Sequence, residues 1–390
     1  MNKSGMSMPR WGRMRALALL TGLALALAAR AEPGVSATEI VIGQSISLND
    51  GKNGYGVAAH EAMRMVLDKV NANGGVHGRR IVLRTLDDHD KGSEAEVNAR
   101  QLTAAGIFAL FGTIEGGPST AVAQVATETG TPFIGPMAGS PVLWRPHSPM
   151  VFPVRAEHRA EFQALLSWAA QIGLKTVGLI HADTPVGQQH LSNVRAIAKA
   201  LNLQVTHALP FKSGMSDADI DAAVRSIAQA SPDVMLNHGG ANVYARIIQR
   251  AKAAGLKTTF MGVNSGSSQI ARQLGEDAKG LVFSQVVPSP WERKHLVSRE
   301  YQDDMRAAHP GMEPRKDLSY GGLEGYLTAK VLVHALKAAG PMPTRASMVA
   351  ALESRPQEVS GLTLRYLPGS HEGVGFVDLS MVARDGRFIH

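Results

Sequence analysis

The feature that most constrains the fold is a regular alternation of short apolar runs with helical patterns, which starts twice along the chain. The first series contains four apolar runs, at residues 40–45, 80–86, 109–112 and 132–135. After residue 153 a second series contains five such runs, at residues 176–181, 204–209, 234–238, 259–263 and 280–286. Alternation of this kind is typical of parallel sheets covered by helices. Two separate series predict an α/β fold with two similar lobes.

The last hundred residues have a different pattern. Helical patterns cover 300–308 and 320–339, and Thr344 is placed to cap a third helix that runs to about residue 353. Two strand-like runs follow, at 362–366 and 375–379. This part therefore adds helices and closing strands to the two lobes.

Two Gly-rich loops follow neighbouring strands of the first series. One is Gly112-Thr113-Ile114-Glu115-Gly116-Gly117 and the other is Met137-Ala138-Gly139-Ser140. In open α/β sheets, ligands bind at the carboxyl ends of the strands, and free N–H groups at a helix start suit an anionic group. Most strand–loop–helix turns bind nothing, however, so the loops alone leave a purely structural role open.

The first 31 residues have the pattern of a secretory signal peptide. Basic residues precede an apolar run from 16 to 29, and Ala29-Arg30-Ala31 fits a cleavage site. Without the five Lys and Arg of this segment, 35 basic and 33 acidic residues remain, so no basic patch for nucleic acid is indicated. We therefore predict export to the periplasm and no nucleic-acid partner.

The composition and motifs argue against several chemistries. The chain has no cysteine, which excludes disulfides and a lipid-modified cysteine. Neither a Gly-x-Ser-x-Gly nor a phosphate-loop motif occurs in the sequence. Asp87-Asp88-His89-Asp90 lacks the spacing of a calcium loop, so we interpret it as a structural loop. We predict no enzyme activity, no cofactor and no metal.

Several motifs together resemble one family. They are Asn71-Ala72-Asn73-Gly74-Gly75-Val76-His77-Gly78-Arg79, the two Gly-rich loops, 255–262, and Ser319-Tyr320-Gly321-Gly322-Leu323-Glu324-Gly325-Tyr326. The chain resembles periplasmic solute-binding proteins of the branched-chain amino acid (Leu/Ile/Val-binding) type, the ligand-capturing component of an ABC importer. The resemblance covers nearly the whole chain after residue 31.

The resemblance implies two Rossmann-like lobes of the periplasmic binding protein type I fold, joined by a three-crossing hinge. Lobe 1 would be 36–153 plus 287–355, and lobe 2 would be 154–286 plus 356–390. A ligand would bind in the cleft between them and shift the hinge through contacts that are better in the closed state.

The family's pocket, carried onto this sequence, implies a set of candidate ligand-binding residues. They are Tyr55, Thr113, Ile114, Glu115, Gly116, Met137, Ala138, Gly139, Ser140, Gly240, Asn264 and Tyr320. The family's acid for a ligand ammonium is replaced by Asn264, and Gly240 lies where an aromatic is usual. A buried ammonium needs a partner, so these departures argue against an α-amino acid, and Glu115 is an alternative source of negative charge.

The function implied is that of an exported, monomeric receptor. It would deliver a small amino-acid-like, amide or carboxylate ligand to an ABC permease and its ATPases, and would contact the membrane only through that permease. A sensory module of the same fold, which hands its ligand to a regulatory partner, is the alternative that the sequence leaves open.

Overall fold

The described part of the chain is built on two mainly parallel sheets, as the alternation predicts. The computed structural model describes residues 32–390 apart from Ser213, Gly239 and Ser265. The predicted signal peptide at 1–31 lies outside the described residues.

The first sheet consists of five parallel strands, β1 (Glu39–Ile46), β2 (Arg80–Asp87), β3 (Ala109–Phe111), β4 (Phe133–Ile134) and β5 (Val151–Phe152). Their spatial order is β2–β1–β3–β4–β5. The helices between them are α1 (Gly54–Ala72), α2 (Gly92–Ala104) and α3 (Gly116–Thr129). Asn53 begins α1 by accepting the Gly56 N–H at 3.0 Å, and Gly130 ends α3 in the left-handed conformation.

The second sheet has a core of five parallel strands. They are β6 (Thr176–Ala182), β7 (Gln204–Phe211), β8 (Val234–His238), β9 (Thr259–Gly262) and β10 (Val282–Gln285). The helices are α4 (His158–Gln171), α5 (Pro185–Ala200), α6 (Asp217–Ala230), α7 (Ala241–Ala253) and α8 (Ser267–Leu274). The predicted α/β fold with two parallel-sheet lobes is therefore confirmed.

The chain then returns to the first lobe. The next helices are α9 (Leu296–Ala308), α10 (Pro314–Asp317), α11 (Tyr320–Ala338) and α12 (Arg345–Glu353). A small antiparallel sheet follows, with strands β11 (Gln357–Val359), β12 (Leu362–Leu367) and β13 (Ser370–Gly373). The last strands, β14 (Asp378–Val382) and β15 (Phe388–Ile389), join the second sheet antiparallel, and its order is β15–β14–β10–β9–β8–β6–β7.

The small sheet packs on the first lobe. Tyr366 is part of the same buried apolar cluster as the helix α11, and its hydroxyl donates to the carbonyl of Pro153 at 2.8 Å. The lobe boundaries from the sequence, including 356–390 as part of lobe 2, stay a prediction. These contacts favour moving 357–373 to lobe 1 while leaving β14 and β15 in lobe 2.

Over the described residues, the chain passes between the two large sheets three times, after β5, after β10 and after β13. The first and third crossings run side by side, and a hydrogen bond joins them: the Val374 N–H donates to the Val154 carbonyl at 2.8 Å. Gly373 makes this approach possible, since a β-carbon there would lie 2.6 Å from the carbonyl oxygens of Pro153 and Val154.

The cores of the two lobes are separate apolar clusters, and the long helix α11 contributes most to the first. Within residues 32–390, every helix falls short of what a membrane span requires in length or in apolar character.

Candidate functional site

The two Gly-rich loops of the first lobe, residues 112–117 and 137–140, lie next to each other; we call them the clamp loops. They extend the parallel pairing of β3 and β4 by one bridge, between Ile114 and Met137. Met137 N–H donates to the Thr113 carbonyl at 2.8 Å, and Ser119 Oγ donates to the same carbonyl at 3.1 Å. The backbone therefore holds the clamp loops in a fixed relative position.

Most side chains of the clamp loops point into the lobe. Ile114, Met137 and Ala138 are buried within the first-lobe apolar clusters. A ligand could meet these residues only through their backbone, and the Met137 N–H is already used. Gly139 has no room for a side chain, because a β-carbon there would lie 2.5 Å from the His158 ring.

Two hydroxyl groups of the clamp loops are buried without partners. Thr113 is fully buried and Ser140 is 2% exposed. Thr113 Oγ1 and Ser140 Oγ find no hydrogen-bonding partner within the described part of the chain. A buried polar group left unpaired costs about 1–3 kcal/mol, so these two oxygens are suited to a group that arrives from outside.

Glu324 joins the two lobes. Its Oε2 accepts the Tyr55 hydroxyl at 2.6 Å and the Asn264 side-chain N–H at 2.8 Å. Tyr55 lies in the first turn of α1 in lobe 1, whereas Asn264 follows β9 in lobe 2. The remaining gap beside Tyr55 is a cavity of about 10 Å³, roughly the space of one water, so the lobes are in contact at this point.

Glycines bring Glu324 to this position. A β-carbon at Gly325 would lie 2.4 Å from the Ala59 carbonyl oxygen of α1, and one at Gly321 would lie 2.5 Å from the Tyr55 ring. Ser319 caps α11 by accepting the Gly322 N–H at 3.0 Å. The start of α11 therefore lies against the first turns of α1, which contain Tyr55 and Ala59.

Arg155, Glu161 and Glu324 form a buried charged group at the first crossing; we call it the crossing cluster. All three are at most 2% exposed. The Arg155 guanidinium pairs directly with Glu161 through Nη2, while its Nη1 is 3.7 Å from Glu324 Oε1. That second distance is too long for a hydrogen bond. Neither Nη1 nor Oε1 has a hydrogen-bonding partner among the described residues.

The two acids of the crossing cluster differ in their electrostatics. Burial alone would raise the pKa of Glu161, but Arg155 and His158 outweigh burial and lower it to about 2. Glu161 also accepts hydrogen bonds from Asn264 N–H and Ser284 Oγ, at 2.9 and 2.7 Å. Burial raises the pKa of Glu324, and Arg155 only partly offsets it. Glu324 would therefore gain from another positive or hydrogen-bond-donating group.

Glu115 is an acid in an unusual backbone conformation. Its φ of 64° and ψ of 147° are values that only glycine adopts readily. The side chain is exposed to solvent. Desolvation by the surrounding protein, with the negative charges of Asp90 and Asp88, raises the pKa of Glu115 to about 7.

Three imidazoles pack together in lobe 2, from His158 at the start of α4, His190 on α5 and His238 at the end of β8. The ring centroids of His190 and His238 are 3.7 Å apart, and His158 lies 4.6 Å from His238. Both ring nitrogens of His190 lack a partner in the part of the chain that the structure describes. Burial lowers the pKa of His190 to about 3. The backbone N–H of His158 donates to the Gly139 carbonyl at 3.0 Å, so this group of three histidines contacts a clamp loop.

The structure places the remaining candidates apart from the crossing cluster. Gly240 is exposed and faces Phe211, and Gly116 is half-buried at the start of α3. Tyr320 lines the small cavity, but its ring packs on Trp291 and Phe388 and its hydroxyl bonds His390 at 3.1 Å. The twelve candidate residues remain predictions as ligand contacts. The structure joins Tyr55 and Asn264 through Glu324 and joins the clamp loops to each other.

Sequence reasoning missed Arg155, Glu161 and Glu324. Glu324 carried a usable signal, because it is the only charged residue in an otherwise apolar and small-residue run from 319 to 329, and buried acids are rare unless paired. Arg155 and Glu161 carried no local signal, since each resembles an ordinary charged residue near a helix start.

The acidic loop at 87–90 has a structural role. The Asp87 carboxylate accepts backbone N–H groups from Leu48, Asn49, Asp50 and His89. Asp88 accepts the hydroxyls of Ser45 and Ser47 at 2.9 and 2.5 Å. These bonds fix the loop at 87–90 against residues 45–50 and agree with its interpretation as a structural loop.

Comparisons with known proteins identify relatives across nearly the whole chain. The family described as periplasmic binding protein matches residues 39–390. A Leu/Ile/Val-binding protein homolog 8 from Brucella suis is 24% identical over 349 residues, which cover 83% of each chain. A substrate-binding periplasmic protein from Ralstonia solanacearum is 25% identical, with a TM-score of 0.80 over 90% of this chain and 99% of that one. A fatty acid ABC transporter substrate-binding protein from Thermomonospora curvata is 20% identical, with a TM-score of 0.80 over 92% and 93% of the two chains.

Proposed function

The chain belongs to the periplasmic binding protein family, and from that premise we propose that its interlobe cleft captures a small zwitterionic solute of the amino-acid class. The family's members are solute-binding receptors of ABC transport, and so is this chain. Its own residues supply the argument for the chemical class of the ligand.

The observation that carries the proposal is the contact of both lobes with one carboxylate. Tyr55 of lobe 1 and Asn264 of lobe 2 both donate to Glu324 Oε2, while Glu324 Oε1 is left without a hydrogen-bonding partner among the residues described. A ligand bound here would touch both lobes and favour the arrangement in which they meet. An ammonium group would be a suitable partner for Oε1, because a buried carboxylate gains most from a cationic donor.

The clamp loops supply the complementary end. Thr113 Oγ1 and Ser140 Oγ are buried hydroxyls that can donate to a carboxylate. The names of two similar proteins refer to Leu/Ile/Val and to fatty acids, both of which carry a carboxylate. The presence of Glu324 removes the objection that lobe 2 lacks an acid, because lobe 1 supplies one in its place.

The finer aspects of the role follow the family. We propose that the receptor is monomeric, works in the periplasm after removal of residues 1–31, and delivers its ligand to an ABC permease driven by ATPases. We also propose that it performs no chemistry on the ligand. The hydroxyl, amide and carboxylate groups assigned to the site are sufficient to hold a solute by hydrogen bonds and charge.

A binding screen on the purified protein tests the ligand class. Isothermal titration calorimetry should be run with neutral α-amino acids, the corresponding amines and the corresponding carboxylic acids, after unfolding and refolding to remove co-purified solute. We expect an amino acid to bind with nanomolar to micromolar affinity, which corresponds to roughly 8–12 kcal/mol, and both truncated analogues to bind more weakly. Equal affinity for the carboxylic acid alone would refute the zwitterion proposal.

Two substitutions test the residues. Glu324→Gln keeps the size of the side chain but removes its charge, so affinity for the amino acid should fall about 10- to 100-fold, with little change for a carboxylic acid. Thr113→Ala should weaken both ligands. Glu96→Gln, at the surface of α2, is the matched control and should leave both affinities unchanged. If Glu324→Gln binds the amino acid as well as the wild type does, the assignment of Glu324 fails.

A further inference from the structure

A second group of polar side chains lies at the edge of the first sheet, outside the crossing cluster and the clamp loops. It consists of His147 in the loop before β5, Glu353 at the end of α12 and His371 in β13. One donor atom from each lies within 4.8 Å of the other two. Three separate segments of the chain therefore bring two imidazole nitrogens and a carboxylate oxygen to one point.

His371 is the most rigidly held of the three. It is 4% exposed, and its ring stacks on Phe152 with a centroid distance of 4.1 Å. Its Nδ1 lies 2.7 Å from the Val151 carbonyl oxygen. A carbonyl only accepts hydrogen bonds, so Nδ1 carries the hydrogen and the lone pair of a neutral ring is on Nε2. A backbone carbonyl on one imidazole nitrogen is the usual support for a histidine that binds metal through the other.

The lone pair of His371 faces another acceptor. Nε2 lies 2.9 Å from Glu353 Oε1, so something positive must lie between or beside them, either a proton or a metal ion. The His147 ring stands edge-on to His371, with centroids 4.6 Å apart. A second imidazole at this place adds nothing to a simple His371–Glu353 ion pair, but it completes a three-ligand set.

We propose that His147, Glu353 and His371 bind a divalent first-row transition metal of the Zn²⁺ class. Two imidazoles and one carboxylate are a common protein ligand set for zinc, and they leave a fourth position for water. The group opens onto a surface groove lined by Trp144, Ser370 and Glu372, which gives a path for the ion. Arg145 also lines this groove, but its charge is paired with Glu157.

A metal here would fasten the small sheet to the first lobe. His371 lies in β13, which leads directly into the third crossing, and His147 precedes β5, which leads into the first. The ion would thus link the segments that enter the two adjacent crossings. Metal binding to the folded protein should raise its stability by mass action.

Titration of the untagged protein with ZnCl2 after chelator treatment is the decisive experiment. We expect saturable binding of one Zn²⁺ per chain in calorimetry and a higher melting temperature with Zn²⁺ than with chelator. Replacement by Co²⁺ should give the visible absorption bands of a tetrahedral site. Failure to bind Zn²⁺ saturably would leave the His371–Glu353 contact as an ion pair only and overturn the proposal.

Variants locate the ion. His147→Ala and Glu353→Gln should each lower Zn²⁺ affinity about tenfold or more, while far-ultraviolet circular dichroism and the melting temperature in chelator stay close to wild type. His89→Ala is the control, because His89 lies in the other group that brings a histidine together with acids, at Asp50 and Asp87. Unchanged affinity in the first two variants, or its loss in His89→Ala, would place the ion elsewhere and refute this site.

Discussion

The clamp loops and the crossing cluster are the two polar regions of the proposed site, and they are built in different ways. Apart from Glu115, the clamp loops offer small neutral groups held by backbone pairing, such as Thr113 and Ser140. The crossing cluster offers full charges held by other charges, Arg155 between Glu161 and Glu324. The first arrangement uses neutral groups from two short loops, and their burial costs little free energy. The second brings together charged residues from separate segments and is stable only when all three charges are present.

The contrast indicates a division of roles. In the proposed site, the neutral groups would accept many ligands with an acidic end, because hydroxyls adapt their hydrogen positions. The charged groups would select more strongly, because a buried carboxylate without a partner carries a high free-energy cost. Specificity should therefore depend on Glu324 more than on the clamp loops.

The largest expected effect comes from breaking the crossing cluster. Arg155→Ala leaves Glu161 and Glu324 buried without their cation, so the free energy of unfolding should fall by about 3–5 kcal/mol. Urea denaturation followed by circular dichroism measures it. The triple variant Arg155→Met, Glu161→Gln, Glu324→Gln should recover much of the loss, because it removes the charges together. A loss below about 1 kcal/mol for Arg155→Ala would mean that water reaches the acids.

An intermediate effect concerns the neutral imidazoles of lobe 2. The pKa of His190 is about 3 in the folded protein, against 6.5 for an ordinary histidine, so the unfolded chain binds the extra proton below pH 6.5. The stability that neutral His190 provides should be full above pH 6.5 and decline as the pH falls towards 3.

His190→Phe should therefore make stability less dependent on pH over that range. It also removes two buried nitrogens that have no partner among the described residues, which would offset part of any crowding from the larger ring. Melting temperatures measured from pH 7 to pH 4 test this, with exposed His309→Phe as the control. Parallel pH curves for wild type and His190→Phe would contradict the role assigned to His190.

The smallest effect concerns Glu115, the charged member of the clamp loops. Glu115→Gly should relieve a backbone conformation that costs about 1–3 kcal/mol, less the extra entropy of glycine in the unfolded chain, and so raise the melting temperature slightly. Ser231→Gly, at another residue with positive φ at a helix end, should stabilise the fold without any effect on ligand.

The same substitution tests the charge of Glu115. With a pKa of about 7, Glu115 gains its charge as the pH rises through neutrality, so a ligand whose carboxylate is held by the clamp loops should bind the wild type more weakly at pH 8 than at pH 6. Glu115→Gly should reduce this pH dependence of affinity, measured by calorimetry. If Glu115→Gly and the wild type show the same pH dependence of affinity, that dependence belongs to another titratable group.

The elements that were predicted correctly from the sequence are those that neighbouring residues determine. Periodic apolar runs and Gly-rich stops predicted both parallel sheets, and the loops after β3 and β4 were predicted because strand, turn and helix start are contiguous. The strand predicted at 375–379 is Asp378–Val382 in the structure, and the short strands β11, β13 and β15 were not predicted, because their pairing partners rather than their own residues define them.

The charged part of the site could not be predicted for the same reason. Glu324 matters because Gly321 and Gly325 let α11 approach α1, and because Arg155 lies at the first crossing. Each of these contacts depends on packing between segments that are distant in the sequence. The resemblance predicts an acid from lobe 2, whereas the proposed site takes its acid, Glu324, from lobe 1.

Gly373 gives the hinge a property that lies outside the cleft. Its missing side chain lets two of the three connecting segments run in contact, so a methyl group at this position would act as a wedge between them. A methyl group that destabilises the open and the closed arrangement of the lobes to different extents changes their relative populations. The apparent affinity for ligand then changes in proportion to the population that binds it. Sequence variation at one residue that touches no ligand could thereby retune how readily the receptor releases its solute.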